Sequence, residues 1–165
     1  DLEPVTPDLL KYLGADSQTA YQSRPRPPVS STGSSRTQCF ARAIQTQLRF
    51  VKMVHDRGGI VLAGTDPVSP RLLPGYALHR ELKKLVDAGL TPVEAIKAAT
   101  LNAAAVLHRQ KEIGTIQAGK LADLVVVAGE PGTRIEDVGK TEIVFKGGVQ
   151  YNPVALRKSA EGKVK

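Results

Sequence analysis

A carboxylate stands at the end of a short apolar run: Ile60-Val61-Leu62-Ala63 leads through Gly64-Thr65 to Asp66. A strand that ends in an acid, followed by a Pro-containing loop and a helix, is how a parallel α/β barrel presents catalytic groups at the C-terminal ends of its strands. Such a carboxylate can bind a hard or borderline divalent cation and accept a proton from water bound to it. The run Asp66-Pro67-Val68-Ser69 suits a turn or helix-cap aspartate equally well, so local sequence leaves both roles open.

The histidines are His55, His79 and His108, and none forms a His-x-His or His-Glu-x-x-His pair. His55 and His108 close helices, where partial positive charge suits the dipole. His79 falls in the first turn of the helix after the Asp66 loop, where it can overhang a barrel mouth, and is a candidate substrate contact. Glu81, two residues on, lies on another helical face, which argues against a metal site shared by the two. Ser69, Thr65 and Cys39 are nucleophiles by residue type alone: no Gly-x-Ser-x-Gly elbow surrounds a serine, and Cys39 sits beside an apolar helix stripe, where packing is expected. There is no Walker loop; Gly114 and Gly119 flank a turn rather than a phosphate cradle.

The elements that position these residues are legible from periodicity and punctuation. Pro4, Pro7, Pro25, Pro27 and Pro28, then Ser30-Ser31-Thr32-Gly33-Ser34-Ser35, mark residues 1–35 as loop-like, with a short helix around Asp8–Leu13. Phe40, Ile44, Leu48 and Val51 recur at helical steps over Arg36–Asp56, and Gly58-Gly59 stops that helix. Ile60–Ala63 has no polar alternation, as expected for a strand buried on both faces. Leu78, Leu82, Leu85 and Val86 predict a helix over Tyr76–Ala88 with Gly89 as its left-handed cap. Thr91-Pro92-Val93-Glu94 has a capping Thr, a Pro at the first helical position and Glu three residues after the cap, predicting a helix to about Leu107. After His108 the pattern becomes short β-type runs: Ile113–Ile116, Leu124–Val127, Thr141–Lys146 and Val149–Tyr151, with Gly147-Gly148 as a tight turn and a frayed basic tail from Arg157.

Composition narrows the class. The 165 residues suffice for one domain with a core or for parts of two, and scarce aromatics with no Trp favour helices on a parallel sheet. One cysteine excludes an internal disulfide and a Cys-based metal cluster. Of the net charge of +7, a helix-like stretch over 36–57 carries +4, from Arg36, Arg42, Arg49, Lys52 and Arg57 against Asp56; the rest is scattered among acids, and there is no aromatic interleaving or nucleic-acid motif. A solvated face is expected there rather than a nucleic-acid groove, and an anion-binding surface is the weaker reading. No stretch approaches the roughly 20 apolar residues of a membrane span. The chain begins at Asp1 without a Met or a signal-like stretch, the look of a fragment or processed product, and compartment is left open.

The stretch from Gly58 to Tyr151 resembles the C-terminal part of a metal-dependent amidohydrolase of the imidazolonepropionase-like and prolidase-like branch. The residues are Ala63-Gly64-Thr65-Asp66, Pro74-Gly75, Leu78-His79-Arg80-Glu81-Leu82, Ala88-Gly89-Leu90-Thr91-Pro92-Val93-Glu94-Ala95 and Ala98-Ala99-Thr100-Leu101-Asn102-Ala103-Ala104. Ile113-Gly114-Thr115-Ile116, Gly119-Lys120-Leu121-Ala122-Asp123-Leu124-Val125-Val126 and Val144-Phe145-Lys146-Gly147-Gly148 complete them in order. Each piece is weak alone; their order and spacing are specific.

The resemblance implies an α/β fold class: the C-terminal fragment of a (β/α)8 TIM barrel plus the C-terminal strands of a small β-sandwich. It divides the chain into a loop-rich segment over 1–35, the last barrel helices and strand over 36–108, sandwich strands over 109–157 and a tail over 158–165. It implies a hydrolase acting on C–N bonds by metal-activated water, with Asp66 as metal ligand and proton shuttle, Zn2+ as cofactor and a small-molecule substrate bearing an amide-type or cyclic C–N bond. Neither nucleic acid nor a membrane is implied as a partner, and a homo-oligomer is left open. The family's His-x-His strand, mid-barrel lysine or glutamate and two later histidines have no counterpart here, and a catalytic zinc normally takes three protein ligands or more. The chain alone is therefore expected to be inactive; the alternative is a non-catalytic interaction or assembly module derived from the same fold.

Overall fold

Buried leucines and alanines on two consecutive helices and the link between them build the core: Leu82, Leu85, Leu90, Ala95 and Ala98 cluster with Ile135, and Val51, Val61 and Ala63 pack against them. A computed structural model of the protein describes residues 7–23, 35–66 and 73–163. Its helices are α1 (Pro7–Leu10), α2 (Ala15–Ser23), α3 (Ser35–Asp56), α4 (Tyr76–Asp87), α5 (Pro92–Ala99), α6 (Leu101–Val106) and α7 (Pro153–Ala160). The strands are β1 (Leu124–Val127), β2 (Thr141–Lys146) and β3 (Val149–Tyr151), with a 3-10 helix at Ile135–Gly139 between the first two.

Helix α2 occupies part of the segment read from sequence as loop, because Ala15–Ser23 contains neither Pro nor Gly to interrupt it. The Pro-rich run from Pro25 and the Ser30–Ser34 stretch lie outside the described residues. Helix α3 forms as its periodicity predicts, but its apolar stripe is covered only toward its C-terminal end. Leu48 and Val51 are half-buried, whereas Phe40 (63%) and Ile44 (40%) are exposed. Cys39 is exposed too, correcting its expected packing. The cause is length: 22 residues span about 33 Å, and α4, the helix it meets, has 12 and spans about 18 Å.

The predicted capping box is present. The Thr91 hydroxyl accepts from the Glu94 N–H (3.3 Å), and the Glu94 carboxylate accepts from the Thr91 N–H (2.8 Å). The single helix expected to run to Leu107 is two. The Thr100 hydroxyl donates to the Ile96 carbonyl (2.8 Å), a back-bond that bends helices, and Thr100 leaves helical geometry at φ −124°, ψ −85°. Gly114 fits into this joint: a Cβ there would lie 2.6 Å from the Ala104 methyl and 3.1 Å from the Thr100 carbonyl.

Ile60–Ala63, expected as a buried barrel strand, is extended but belongs to no sheet among the described residues. Ile60 is 66% exposed. No neighbouring strand is described on either side, so its backbone finds other partners. Ile113–Ile116 is likewise not a strand: Lys120 Nζ donates to the Gln110 carbonyl (2.6 Å) and the Thr115 hydroxyl (2.5 Å), closing residues 110–120 into a stapled loop.

The C-terminal strands form an antiparallel sheet in the order β1-β2-β3, Leu124 facing Phe145 and Val144 facing Tyr151, with a register shift between Val126 and Val127. The expected Gly147-Gly148 turn joins β2 to β3. Asp123 fastens it by accepting from Lys146 Nζ (2.6 Å) and the Gly147 N–H (2.8 Å). The tail read as frayed from Arg157 is helical to Ala160, since Asn152 caps α7 by accepting from the Val154 and Ala155 N–H groups and Pro153 starts it. Gly162 N–H then donates to the Lys11 carbonyl (2.9 Å), tying this end to α1.

Candidate active site

Asp66 ends an extended segment that is held by groups from three helices. The Asn102 side-chain amide on α6 donates to the Val61 carbonyl (3.0 Å). The Ala63 N–H donates to the Ala98 carbonyl (3.2 Å), one of the terminal acceptors that α5 leaves unused when it breaks at Thr100. The Gly64 N–H donates to Glu81 Oε1 on α4 (2.7 Å). Beyond these tethers Asp66 is exposed and sits at φ 37°. A non-glycine residue there costs on the order of 1–3 kcal/mol and persists where the surroundings over-determine it. The segment thus delivers an unshielded carboxylate on a fixed backbone.

His79 lies on the same helix as Glu81, half-buried, edge-on to the Tyr76 ring with centroids 5.9 Å apart. Gly139 faces its Nδ1, and burial lowers its pKa, so the neutral imidazole is favoured. No hydrogen bond joins it to Asp66 among the described residues. His108 takes a left-handed conformation (φ 56°) after α6, and the following Arg109 N–H returns to the Ala104 carbonyl (2.8 Å), a helix-stop role. His55 also ends its helix, but it gains an unforeseen partner: its Nε2 lies 3.2 Å from Glu94 Oε1, linking α3 to the cap of α5. Glu94 is held below the usual carboxylate range, first by the Thr91 N–H and hydroxyl and then by His55.

Sequence reasoning missed Glu81 and Asn102 as anchors. A signal existed for Asn102, since asparagine is a poor helix former amid alanines and does best where its amide finds a partner. Glu81 carried none beyond its place beside the buried Leu82.

The strongest carboxylate perturbation lies away from Asp66. Asp137 is buried between Lys140 (2.9 Å) and Arg134 (2.8 Å) and accepts from the Glu130 N–H (3.0 Å). The Lys140 ammonium, then the Arg134 guanidinium and this N–H, hold it well below the ordinary range. A shift of that kind can mark a functional site, but every oxygen here is committed to the turn joining β1 and β2, a structural network. A shallow groove of about 340 Å³ between α3 and the end of α4 is lined by Leu48, Arg49, Lys52, Met53, Asp56 and Asp87. Lys52 pairs with Asp56, and Asp87 with Lys83 and Lys84. Asp66, Glu81 and His79 do not line it.

Whether these residues could hold a metal can be judged from the donors. Among the described residues no group of three or more His, Cys, Asp or Glu converges. Asp66 supplies one carboxylate where a catalytic zinc takes three or more protein ligands. The donor set present does not fit a catalytic metal centre.

Comparison with known proteins decides the lineage. Residues 34–156 match the Amidohydrolase family. The chain belongs to that family. The imidazolonepropionase of Symbiobacterium thermophilum is 39% identical over 72 residues, 43% of this chain and 17% of that enzyme. The crystal structure of a Xaa-Pro dipeptidase matches with a TM-score of 0.56 at 28% identity, over 66% of this chain and 25% of its own. Bottromycin amidohydrolase shares the fold across 99% of this chain and 37% of its own, with a TM-score of 0.73 at 21% identity. The amidohydrolase chain described here therefore spans a minor share of the proteins it matches. No helix of its described residues is long and apolar enough to cross a membrane.

Proposed function

We propose that this chain is the C-terminal part of an amidohydrolase that cleaves a C–N bond, other than an ordinary peptide bond, in a small molecule with an amide-type or cyclic C–N group. Asp66 is its proton shuttle. As water oxygen bonds to the carbonyl or imine carbon, Asp66 takes the proton that leaves the water; it returns that proton to the nitrogen as the C–N bond breaks. His79 contacts the substrate. The parent binds zinc through Asp66 together with donors outside this chain, so the 165 residues alone are inactive. Residues 36–108 correspond to the last helices and last strand of a barrel, and 109–157 to the C-terminal strands of a β-sandwich.

The observation that carries this reading is the presentation of Asp66: an exposed acid at the end of an extended segment, fastened by three helices on one side and offering Ile60 and Leu62 on the other. Family membership supplies the reaction class. In the longer parent, Asp66→Asn should lower turnover by about 10²- to 10⁴-fold while the thermal midpoint stays near that of the unaltered protein. Turnover retained by Asp66→Asn overturns the assignment.

A further inference from the structure

Among the described residues, Glu81 is a mid-helix acid that serves neither its own helix nor an ion pair. It lies well inside α4, away from the cap positions, and none of the described ion pairs includes it. Its oxygen is given to a main-chain N–H 17 positions upstream, that of Gly64, at 2.7 Å. Leu82 and Leu85 on the same helix are buried, so the carboxylate is carried by a rigid element.

The Gly64-Thr65-Asp66 stretch, which belongs to no helix, strand or turn, is held by such a tether. Gly64 is not forced by crowding, since a Cβ there would meet nothing within 4 Å, and it does not have a positive φ. The strain sits two residues later, at Asp66 (φ 37°). Among the described residues, the bond to Glu81 is the one hydrogen bond made by the backbone from Gly64 to Asp66. The other tethers stop at Val61 and Ala63.

We infer that Glu81 is a positioning residue for Asp66: by holding the Gly64 N–H from α4 it fixes the backbone that carries the Asp66 carboxylate. This rests on the reading of Asp66 as the hydrolytic acid. The interaction requires an acceptor oxygen at glutamate's reach. Glutamine supplies one; aspartate, one methylene short, keeps the charge but withdraws the oxygen; alanine removes it.

Hydrogen exchange at the Gly64 amide, with the backbone coupling and Cα shift of Asp66 that report its positive φ, tests this in the full chain without a need for turnover. Glu81→Ala and Glu81→Asp should each speed Gly64 exchange about tenfold or more and average out the Asp66 signature. Glu81→Gln should stay close to the unaltered chain, and the β1-β2-β3 amides should not change in any of them. In the longer parent, Glu81→Asp should lower kcat about tenfold to a hundredfold with KM within about twofold, and Glu81→Gln should restore most of it. Gly64 exchange and the Asp66 signature unmoved by Glu81→Asp would overturn the inference, as would Glu81→Gln behaving like Glu81→Ala. If Glu81→Ala does not fold, the Asp and Gln variants carry the test. Retained turnover in Asp66→Asn sinks the hydrolytic reading; Glu81 variants that leave Gly64 unmoved while Asp66→Asn is inactive sink this inference alone.

Discussion

The Asp66 segment and the β1-β2-β3 sheet are both short extended stretches, and they satisfy their backbones in opposite ways. The sheet pairs with itself, in a register closed by Asp123 against Lys146 and the Gly147 N–H. Ile60–Asp66 borrows a side-chain amide, a spare helix carbonyl and a carboxylate from three separate helices. A self-paired region can carry its motif residues for structural reasons alone. A segment tethered by other elements, with its acid left exposed, has no such structural use for that acid among the described residues. This difference separates the downstream motif residues, which hold the fold, from Asp66, which the fold holds out.

The core under the segment is where substitution should have the largest effect. Leu82→Ala should cost about 2–5 kcal/mol in denaturant unfolding, with amides of Ala63 and Gly64 losing protection before those of β2; equal loss in both regions would deny them separate supports. Next, Gly114→Ala and Gly129→Ala should each cost about 1–3 kcal/mol, by different routes. An alanine at Gly114 (φ 93°) pushes apart the Thr100 joint and should loosen the Ala63-to-Ala98 bond. One at Gly129 (φ 94°) collides with the Asp137 carboxylate and should leave Ala63 protected. Exchange at Ala63 that responds alike to both would erase the distinction. Thr91→Ala should cost about 1 kcal/mol through the lost cap, read as a shift in urea midpoint.

Acidity should divide the regions more gently, in two windows. Burial lowers the folded pKa of His79, so the unfolded chain binds a proton first, and stability contributed near neutrality declines as pH falls below about 6.5. The Asp137 carboxyl is depressed by Lys140, Arg134 and the Glu130 N–H. Its contribution is fully present above the unfolded carboxyl pKa and is lost as pH falls below about 4 toward the folded value. Urea midpoints against pH should lose the upper limb in His79→Gln and the lower limb in Asp137→Asn.

Much of the helical part was legible because local chemistry and tertiary fold agree there. Thr91, Pro92 and Glu94 mark a helix start in sequence and make one in space. The break at Thr100 was not legible, because back-bonding and the close approach of Gly114 are decided by tertiary fit. Cys39 and Phe40 show the reverse failure: helical periodicity identifies an apolar stripe but not whether anything covers it. Asp66 was singled out through its strand-like run and downstream motifs. Its tethers from Glu81 and Asn102 were not, since each is a single contact 17 or 41 positions away with no repeating pattern to betray it.

The central claim, that this chain carries the acid of a hydrolytic site without the rest of its metal donors, is tested most directly by calorimetric zinc titration of the chain beside its Asp66→Asn variant, with hydrolysis of amide-type substrates followed in parallel. Weak, non-stoichiometric zinc uptake that is the same in both, and no hydrolysis, is the expected result. Tight one-to-one binding that disappears in Asp66→Asn, accompanied by hydrolysis, would contradict it.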